Sequence, residues 1–281
     1  MISSVCIIVA TYNREDALDA VLRGLSSQRD KAFEVIVADD GSEPATARLV
    51  ESWSARLALR HVWHEDRGFR LAEIRNRAIL ATSAELCIFL DGDCIPRPGF
   101  VAAHRRLAEG GRFVAGNRVL LSRRLTERVL REGREPERWP LSRWIAARRR
   151  GDVNRVAPLV DLPLGPLRRV GGTRWVRGAN LAIRRADLLA VDGFDARFCG
   201  WGREDSDLII RLNRAGVRRK DGRFATAVLH LWHPESDRSR LAANDRMLEE
   251  VARGTAVKAV AGLASLAGPA EPALPGPRRA E

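Results

Sequence analysis

Three clusters of residues carry types and spacings that could do chemistry. The first is Asp91-Gly92-Asp93. On an extended chain, residues i and i+2 point the same way, so both carboxylates can face one divalent cation. The intervening glycine lets a ligand approach closely. Hard carboxylate oxygens select Mn2+ or Mg2+. The triplet follows the apolar run Leu86-Cys87-Ile88-Phe89-Leu90, which puts it at the end of a buried strand. The second cluster is Gly200-Trp201-Gly202-Arg203-Glu204-Asp205. A tryptophan between glycines is a poor core element and reads as a platform on which a sugar ring can stack. Glu204 and Asp205 open a helix, where acidic residues suit the dipole, but the dipole alone does not explain Gly-Trp-Gly. The third is His230-Leu231-Trp232-His233. On a strand His230 and Trp232 face one way and His233 the other. A neutral imidazole could complete a cation site begun by Asp93, and His230 is preferred over His233.

Further polar groups gather where other strands end. Thr11-Tyr12-Asn13-Arg14 follows the first strand and could meet a nucleotide base and diphosphate, although Thr11 or Asn13 would serve equally as a helix cap. Asp39-Asp40-Gly41-Ser42 follows the second strand; two adjacent acids there repel unless a donor or a cation joins them. Arg70 could pair with a phosphate. Arg75 and Asn76 fall on the early turns of a helix, near its positive end.

These clusters need a frame. Val5–Ala10, Phe33–Ala38, Leu57–Trp63 and Leu86–Leu90 read as strands, and Arg14–Gln28, Glu43–Arg56 and Leu71–Thr82 as helices between them. That alternation implies βαβ units, an α/β fold and a mostly parallel sheet flanked by helices. Ligands of such a sheet sit beyond the carboxyl ends of its strands, where the polar clusters lie. From 117 to 172 the pattern loosens into arginines and prolines, with one helix near Leu141–Arg150. A helix over about Arg203–Ala215, a strand over Phe224–Leu231 and a helix including Leu241–Arg253 follow. Residues from about 268 read as a disordered tail.

The chain of 281 residues is 45% hydrophobic and 30% charged, which suits one large globular domain. Met1-Ile2-Ser3-Ser4 enters a strand with no signal-peptide pattern, so a cytoplasmic location is expected by default. Four cysteines lack any CxxC pairing, which argues against zinc; Cys6 and Cys87 read as buried thiols. The net charge of +12 rests almost wholly on arginine, since Lys31, Lys220 and Lys258 are the only lysines. Arginine suits diphosphate recognition. The same charge, with the apolar stretch Ala259–Ala264, admits peripheral contact with an anionic membrane, although an ordinary packed helix is the preferred reading of that stretch.

Taken in order, Ala10-Thr11-Tyr12-Asn13-Arg14, Asp39-Asp40-Gly41-Ser42 and Asp91-Gly92-Asp93 resemble the family 2 glycosyltransferases of the GT-A fold. The part from Arg177-Gly178-Ala179-Asn180 to Gly200-Trp201-Gly202-Arg203-Glu204-Asp205 resembles the C-terminal part of the β-1,4-galactosyltransferase and chondroitin polymerase group. The resemblance covers roughly residues 4–235. It implies a GT-A domain over 1–235, divided into a nucleotide-binding half (1–116) and an acceptor-binding half (117–235). A helical extension (236–267) and the tail (268–281) follow. It also implies roles. Thr11, Asn13, Arg14, Asp39, Asp40, Arg70, Arg75 and Asn76 would serve the nucleotide, and Asp91 the ribose or the metal's water shell. Asp93 and His230 would ligate Mn2+ or Mg2+, Trp201 and Gly202 would meet the sugars, Glu204 would bind the acceptor and Asp205 would be the general base. Arg203 departs from the group, which often has a second glycine there.

The implied activity is inverting transfer from a nucleotide diphosphate sugar, expected to be a UDP-sugar, to a hydroxyl of a glycan or glycolipid in surface polysaccharide assembly. The chemistry agrees, since a hydroxyl needs a carboxylate to take its proton and a leaving diphosphate needs a cation. A sugar-nucleotide nucleotidyltransferase would carry a Gly-rich loop after the first strand, and a dinucleotide oxidoreductase a GxGxxG there; neither is present. A nucleic-acid partner is not expected, Arg148-Arg149-Arg150 with Trp144 being the only hint of one.

Overall fold

The unbroken β-branched run at the start of the chain forms β1 (Val5–Thr11), with every residue buried. A strand buried on both faces is what the centre of a parallel sheet requires. α1 (Glu15–Ser26), β2 (Glu34–Asp39), α2 (Pro44–Trp53), β3 (Leu59–Trp63), α3 (Leu71–Leu80) and β4 (Leu86–Asp91) follow. In the computed structural model, which describes residues 2–165, 168, 170, 171, 176 and 178–266, β2 and β4 flank β1 in parallel, with β3 outside β2. Period-2 alternation along β1 divides the core. Ile7 and Val9 pack with Leu18, Val21, Leu22 and Leu25 of α1 on one face. Cys6 and Ile8 pack with Ile74, Ala78 and Ile79 of α3 on the other. Each large apolar side chain so buried contributes roughly 1.5–3 kcal/mol. Cys6 and Cys87 are buried and free, and burial holds both thiols well above the ordinary range.

Beyond Asp93 the sequence pattern gives few elements and the fold has many. β5 (Cys94–Pro96), α4 (Phe100–Leu107), β6 (Arg112–Ala115), β7 (Arg118–Leu120), α5 (Arg123–Arg131) and α6 (Leu141–Arg149) come first. β8 (Asn180–Arg184), α7 (Arg185–Ala190), α8 (Glu204–Arg214), β9 (Arg218–Asp221), β10 (Val228–His230), α9 (Leu241–Arg253) and α10 (Leu263–Leu266) complete the chain. The main sheet runs β3-β2-β1-β4-β8-β6-β9, and only β8 is antiparallel to its neighbours. A three-stranded sheet, β5-β10-β7, lies beside it. This is the α/β, mostly parallel GT-A architecture that the sequence implies.

One expectation needs correction, and another, the packed reading of 259–264, agrees with the fold. The strand over 224–231 contracts to β10, because Phe224 takes φ +61, outside the range of a strand, and only three residues pair with β5 and β7. The apolar stretch at 259–264 is tied to the body: Ala259 N donates to Val191 O, and Leu263 N to Asp192 O, with Leu263 buried. The tail expected from 268 lies outside the described residues, as does Arg177. Among the described residues no helix is long and apolar enough to cross a membrane.

Candidate active site

The strand order reverses between β1 and β4, the place where open α/β sheets bind ligands. There the Gly92 amide donates to Ala10 O at 2.7 Å, and a Cβ at position 92 would sit 2.8 Å from that oxygen. Any side chain would force the ends of β1 and β4 apart, so the Asp-Gly-Asp spacing has a steric cause. Above this floor opens a cleft of about 800 Å³. Thr11, Asp91, Asp93, Trp201, Asp205 and His230 all line it, brought from β1, the end of β4 and the turn after it, the turn before α8 and its first residues, and β10.

Asp93 faces two histidines. His230 Nε2 lies 3.6 Å and His233 Nε2 3.3 Å from its Oδ2. The expectation that His233 points away fails because β10 ends at His230, and the chain turns His233 back into the cleft. One ligand atom from each of the three residues lies within 4.8 Å of the others, and Asp91, Asp93 and Cys94 form an overlapping set. Burial pushes His230 below its ordinary value, against the pull of Asp93, so its ring is neutral and has a lone pair to offer. A carboxylate with two imidazoles fits a divalent transition ion.

Arg75 is 1% exposed, and its charge is spent on the protein. One guanidinium nitrogen donates to Asp91 Oδ1 at 2.9 Å and the other to Glu204 Oε1 at 3.3 Å. It lines the cleft but is engaged with two carboxylates, so it joins the β4 end to the first turn of α8. Burial raises Asp91, with Asp93 adding to the effect and Arg75 opposing it. Burial, then the Asp205 carboxylate, lifts Glu204 to about 7. Asp205 Oδ2 accepts from the Gly178 amide at 2.9 Å, and its Oδ1 from Ser206 Oγ at 3.2 Å.

The residues expected at the nucleotide separate into two groups. Thr11, Arg14 and Asp40 line the cleft, and Thr11 Oγ1 is buried with no partner among the described residues. Asn13, Asp39, Arg70 and Asn76 do not line it. Asn13 takes φ +46 and its Oδ1 accepts from Glu43 N, so it ties the β1 corner to the start of α2 and does not cap α1. Asp39 accepts from Ser42 N and lies 2.9 Å from His61 Nε2. Arg70 pairs with Glu73. Asn76 sits in the middle of α3, fully buried, bonded to both the amide and the carbonyl of Phe194. Each of the adjacent acids Asp39 and Asp40 thus has a histidine partner, since His64 Nε2 lies 2.7 Å from Asp40 Oδ1.

At the cleft mouth Gly200, Gly202 and Arg203 all take positive φ. This presents Trp201, with the Arg238 guanidinium 4.9 Å from its ring centre. Arg203 holds a conformation that favours glycine, and its side chain pairs with Asp245 of α9. Arg118, Arg238 and Phe69 also line the cleft and were not singled out from sequence. Both arginines are lost among many others, and nothing local marks Phe69.

Comparison with known proteins places the chain in a family. Residues 6–156 match the model for glycosyl transferase family 2, and residues 169–234 match that described as the N-terminal domain of galactosyltransferase. Validoxylamine A glucosyltransferase of Streptomyces hygroscopicus subsp. limoneus is 33% identical over 75% of this chain and 48% of its own length. Chondroitin synthase of Escherichia coli is 27% identical over 77% of this chain and 33% of its own. The chain thus spans about half or less of these relatives. Among solved structures, the mannosyltransferase PcManGT from Pyrobaculum calidifontis, in complex with GDP-Man and Mn2+, superposes with a TM-score of 0.60 at 21% identity, over 90% of this chain and 65% of that one. S. aureus TarS 1-349 in complex with UDP gives 0.54 at 16%, over 88% and 65%. With more than half its length matched by the first of these models, the chain belongs to glycosyl transferase family 2.

Proposed function

We propose that this glycosyltransferase moves a sugar from a UDP-sugar to a hydroxyl of a glycan or glycolipid acceptor, with inversion at the anomeric carbon, in surface polysaccharide assembly. The observation that carries the reading is that Asp205 and the Asp93–His230–His233 cluster line one cleft. The nucleotide lies at the β1 end, against Thr11, Arg14 and Asp40. The unpartnered Thr11 hydroxyl supports that placement. Asp93, His230 and His233 hold a divalent cation, with Asp91 beside them. When bound, such an ion supplies positive charge at the leaving diphosphate. The imidazole content of the set favours Mn2+ over Mg2+.

Asp205 takes the proton from the acceptor hydroxyl as it attacks. Its hydrogen bond from Gly178 fixes the carboxylate, so one oxygen is oriented before the acceptor arrives. Glu204, lifted to about 7, carries a proton part of the time near neutral pH and can donate to an acceptor oxygen as well as accept from one. Trp201 offers an apolar face to the sugar rings. A single in-line displacement with a base on the acceptor side inverts the anomeric centre.

The test is turnover of a panel of nucleotide sugars with Mn2+, Mg2+ or chelator, on wild type and Asp93→Ala. Metal-dependent use of a UDP-sugar, lost in the variant, is the expected result. Failure to bind any nucleotide sugar under any metal would overturn the reading.

A further inference from the structure

The proposed chemistry does not use the densest charge in the chain. Between residues 118 and 155 stand twelve arginines against five carboxylates. Much of this charge is on α5 and α6. Trp144 is buried and anchors α6, its ring centre 5.0 Å from that of Trp139 and tilted to it, with Ala147 also buried. The flanking face is open. Leu141 and Ile145, one turn apart, are 43% and 41% exposed. Arg148 follows one turn after Ile145 and Arg149 lies beside it, so the two apolar side chains share a face with two arginines. Neither arginine's side chain makes an ion pair or hydrogen bond among the described residues. Arg148 also borders a hollow of about 300 Å³ with Leu120, which is itself 41% exposed.

This surface adjoins the cleft. Leu120 is the β7 register partner of His230, and Leu121 N donates to His230 O at 2.9 Å. Next to it Trp232 is 38% exposed, its amide bonded to Thr126 of α5 and its ring 5.2 Å from the Arg123 guanidinium. Aliphatic side chains beside unpaired arginines, with an exposed indole at the edge, are the composition of a helix face that lies on a lipid headgroup layer.

We propose that the outer face of α6, with Leu120, docks this protein on an anionic phospholipid membrane. Leu141 and Ile145 enter the headgroup boundary, and Arg148 and Arg149 meet lipid phosphates. Charge complementarity selects this occupant. Two aliphatic residues at the centre of the face suit a bilayer better than a nucleic acid, which would call for aromatic residues interleaved with the arginines. The contact does not depend on the transfer chemistry. Only its use, presenting a lipid-borne acceptor to the adjoining cleft, rests on the proposed function.

Flotation of the full chain with phosphatidylglycerol/phosphatidylcholine vesicles, against pure phosphatidylcholine, tests the proposal. Binding is expected on the anionic vesicles alone and should fall steeply by 0.5 M NaCl. R148A/R149A should weaken it about thirtyfold, at about a factor of five per basic residue. Ile145→Ser should weaken it at high salt, where the apolar part carries the binding. Both variants should keep wild-type unfolding midpoints and nucleotide affinity, because neither touches core or cleft. Absence of vesicle binding, or binding indifferent to both variants, would overturn the proposal. So would retention of an RNA oligonucleotide by these arginines without vesicle binding, which would reassign the face to nucleic acid.

Discussion

The Gly178 amide donates to the Asp205 carboxylate at 2.9 Å, linking the segment before β8 to the first turn of α8. The base proposed for the reaction is therefore held from outside its own helix. Asp205→Asn keeps the shape and an acceptor oxygen for Gly178 but cannot take a proton. Transfer should fall roughly 10²–10⁴-fold, with donor affinity unchanged by calorimetry. Undiminished transfer would remove Asp205 from the role.

Two histidines face Asp93, so neither alone should account for metal binding. His230→Ala and His233→Ala are each expected to raise the Mn2+ concentration for half-maximal binding at least tenfold, and the double variant to abolish binding. Manganese titration followed by electron paramagnetic resonance measures this directly. Wild-type affinity in His233→Ala would leave His230 as the single imidazole ligand.

Arg75 joins Asp91 to Glu204 in a buried site. Removing it strands two carboxylates, a loss of roughly 3–5 kcal/mol for a broken buried pair. Arg75→Ala should show that loss in urea unfolding, and Arg75→Met should show a similar one, because the stranded charges matter more than the volume. A loss below 1 kcal/mol in both would mean that water reaches the site.

Arg203 sits at φ +85, a conformation that costs an L-residue about 1–2 kcal/mol and glycine almost nothing. Arg203→Gly loses the Asp245 pair but relieves the strain, whereas Arg203→Ala loses the pair and keeps the strain. The glycine variant should melt at the higher temperature of the two by differential scanning calorimetry. The reverse order would show that the side chain, not the backbone, governs this turn.

Glu137 is 3% exposed and its Oε1 has no partner among the described residues. Burial, with a smaller contribution from Glu135, lifts its carboxyl from 4.5 to about 7. An acid whose folded-state pKa is raised holds its proton more tightly when folded. Its contribution to stability is therefore full below pH 4.5 and lost as pH rises through 7. Glu137→Gln should match wild type at pH 4.5 and exceed it at pH 8 by on the order of 3 kcal/mol. Equal pH profiles for the two proteins would show that Glu137 is not the group responsible.

The first half of the fold was legible because its signals are local. β1, β2 and β4 are short runs of mostly apolar residues, and α1 between the first two has a one-sided apolar face. The second half was not, because its strands are three to five residues long and find partners far away in sequence. β10 pairs with β5 and β7, more than a hundred residues upstream, and three residues carry no readable period. The clusters at Asp91–Asp93 and Gly200–Asp205 could be placed in one cleft, since the first follows a buried apolar strand and the second sets a tryptophan between glycines before a helix. The roles of Arg75, Asn13 and Asn76 could not be read, because a buried arginine spent on two carboxylates and a surface arginine waiting for a phosphate have the same letter. His61 and His64 show this most clearly. Nothing in their neighbourhood announces that each will lie within hydrogen-bonding distance of one of two adjacent aspartates.

The order of synthesis gives β10 a further consequence. The ribosome delivers β1 to β5 first, so Asp93 is made long before residues 228–233 emerge. His230 and His233 then arrive together, as a late strand slots between β5 and β7. The two imidazoles that face Asp93 therefore join it only after residue 233 has been made, however early the rest of the β1–β4 corner is in place.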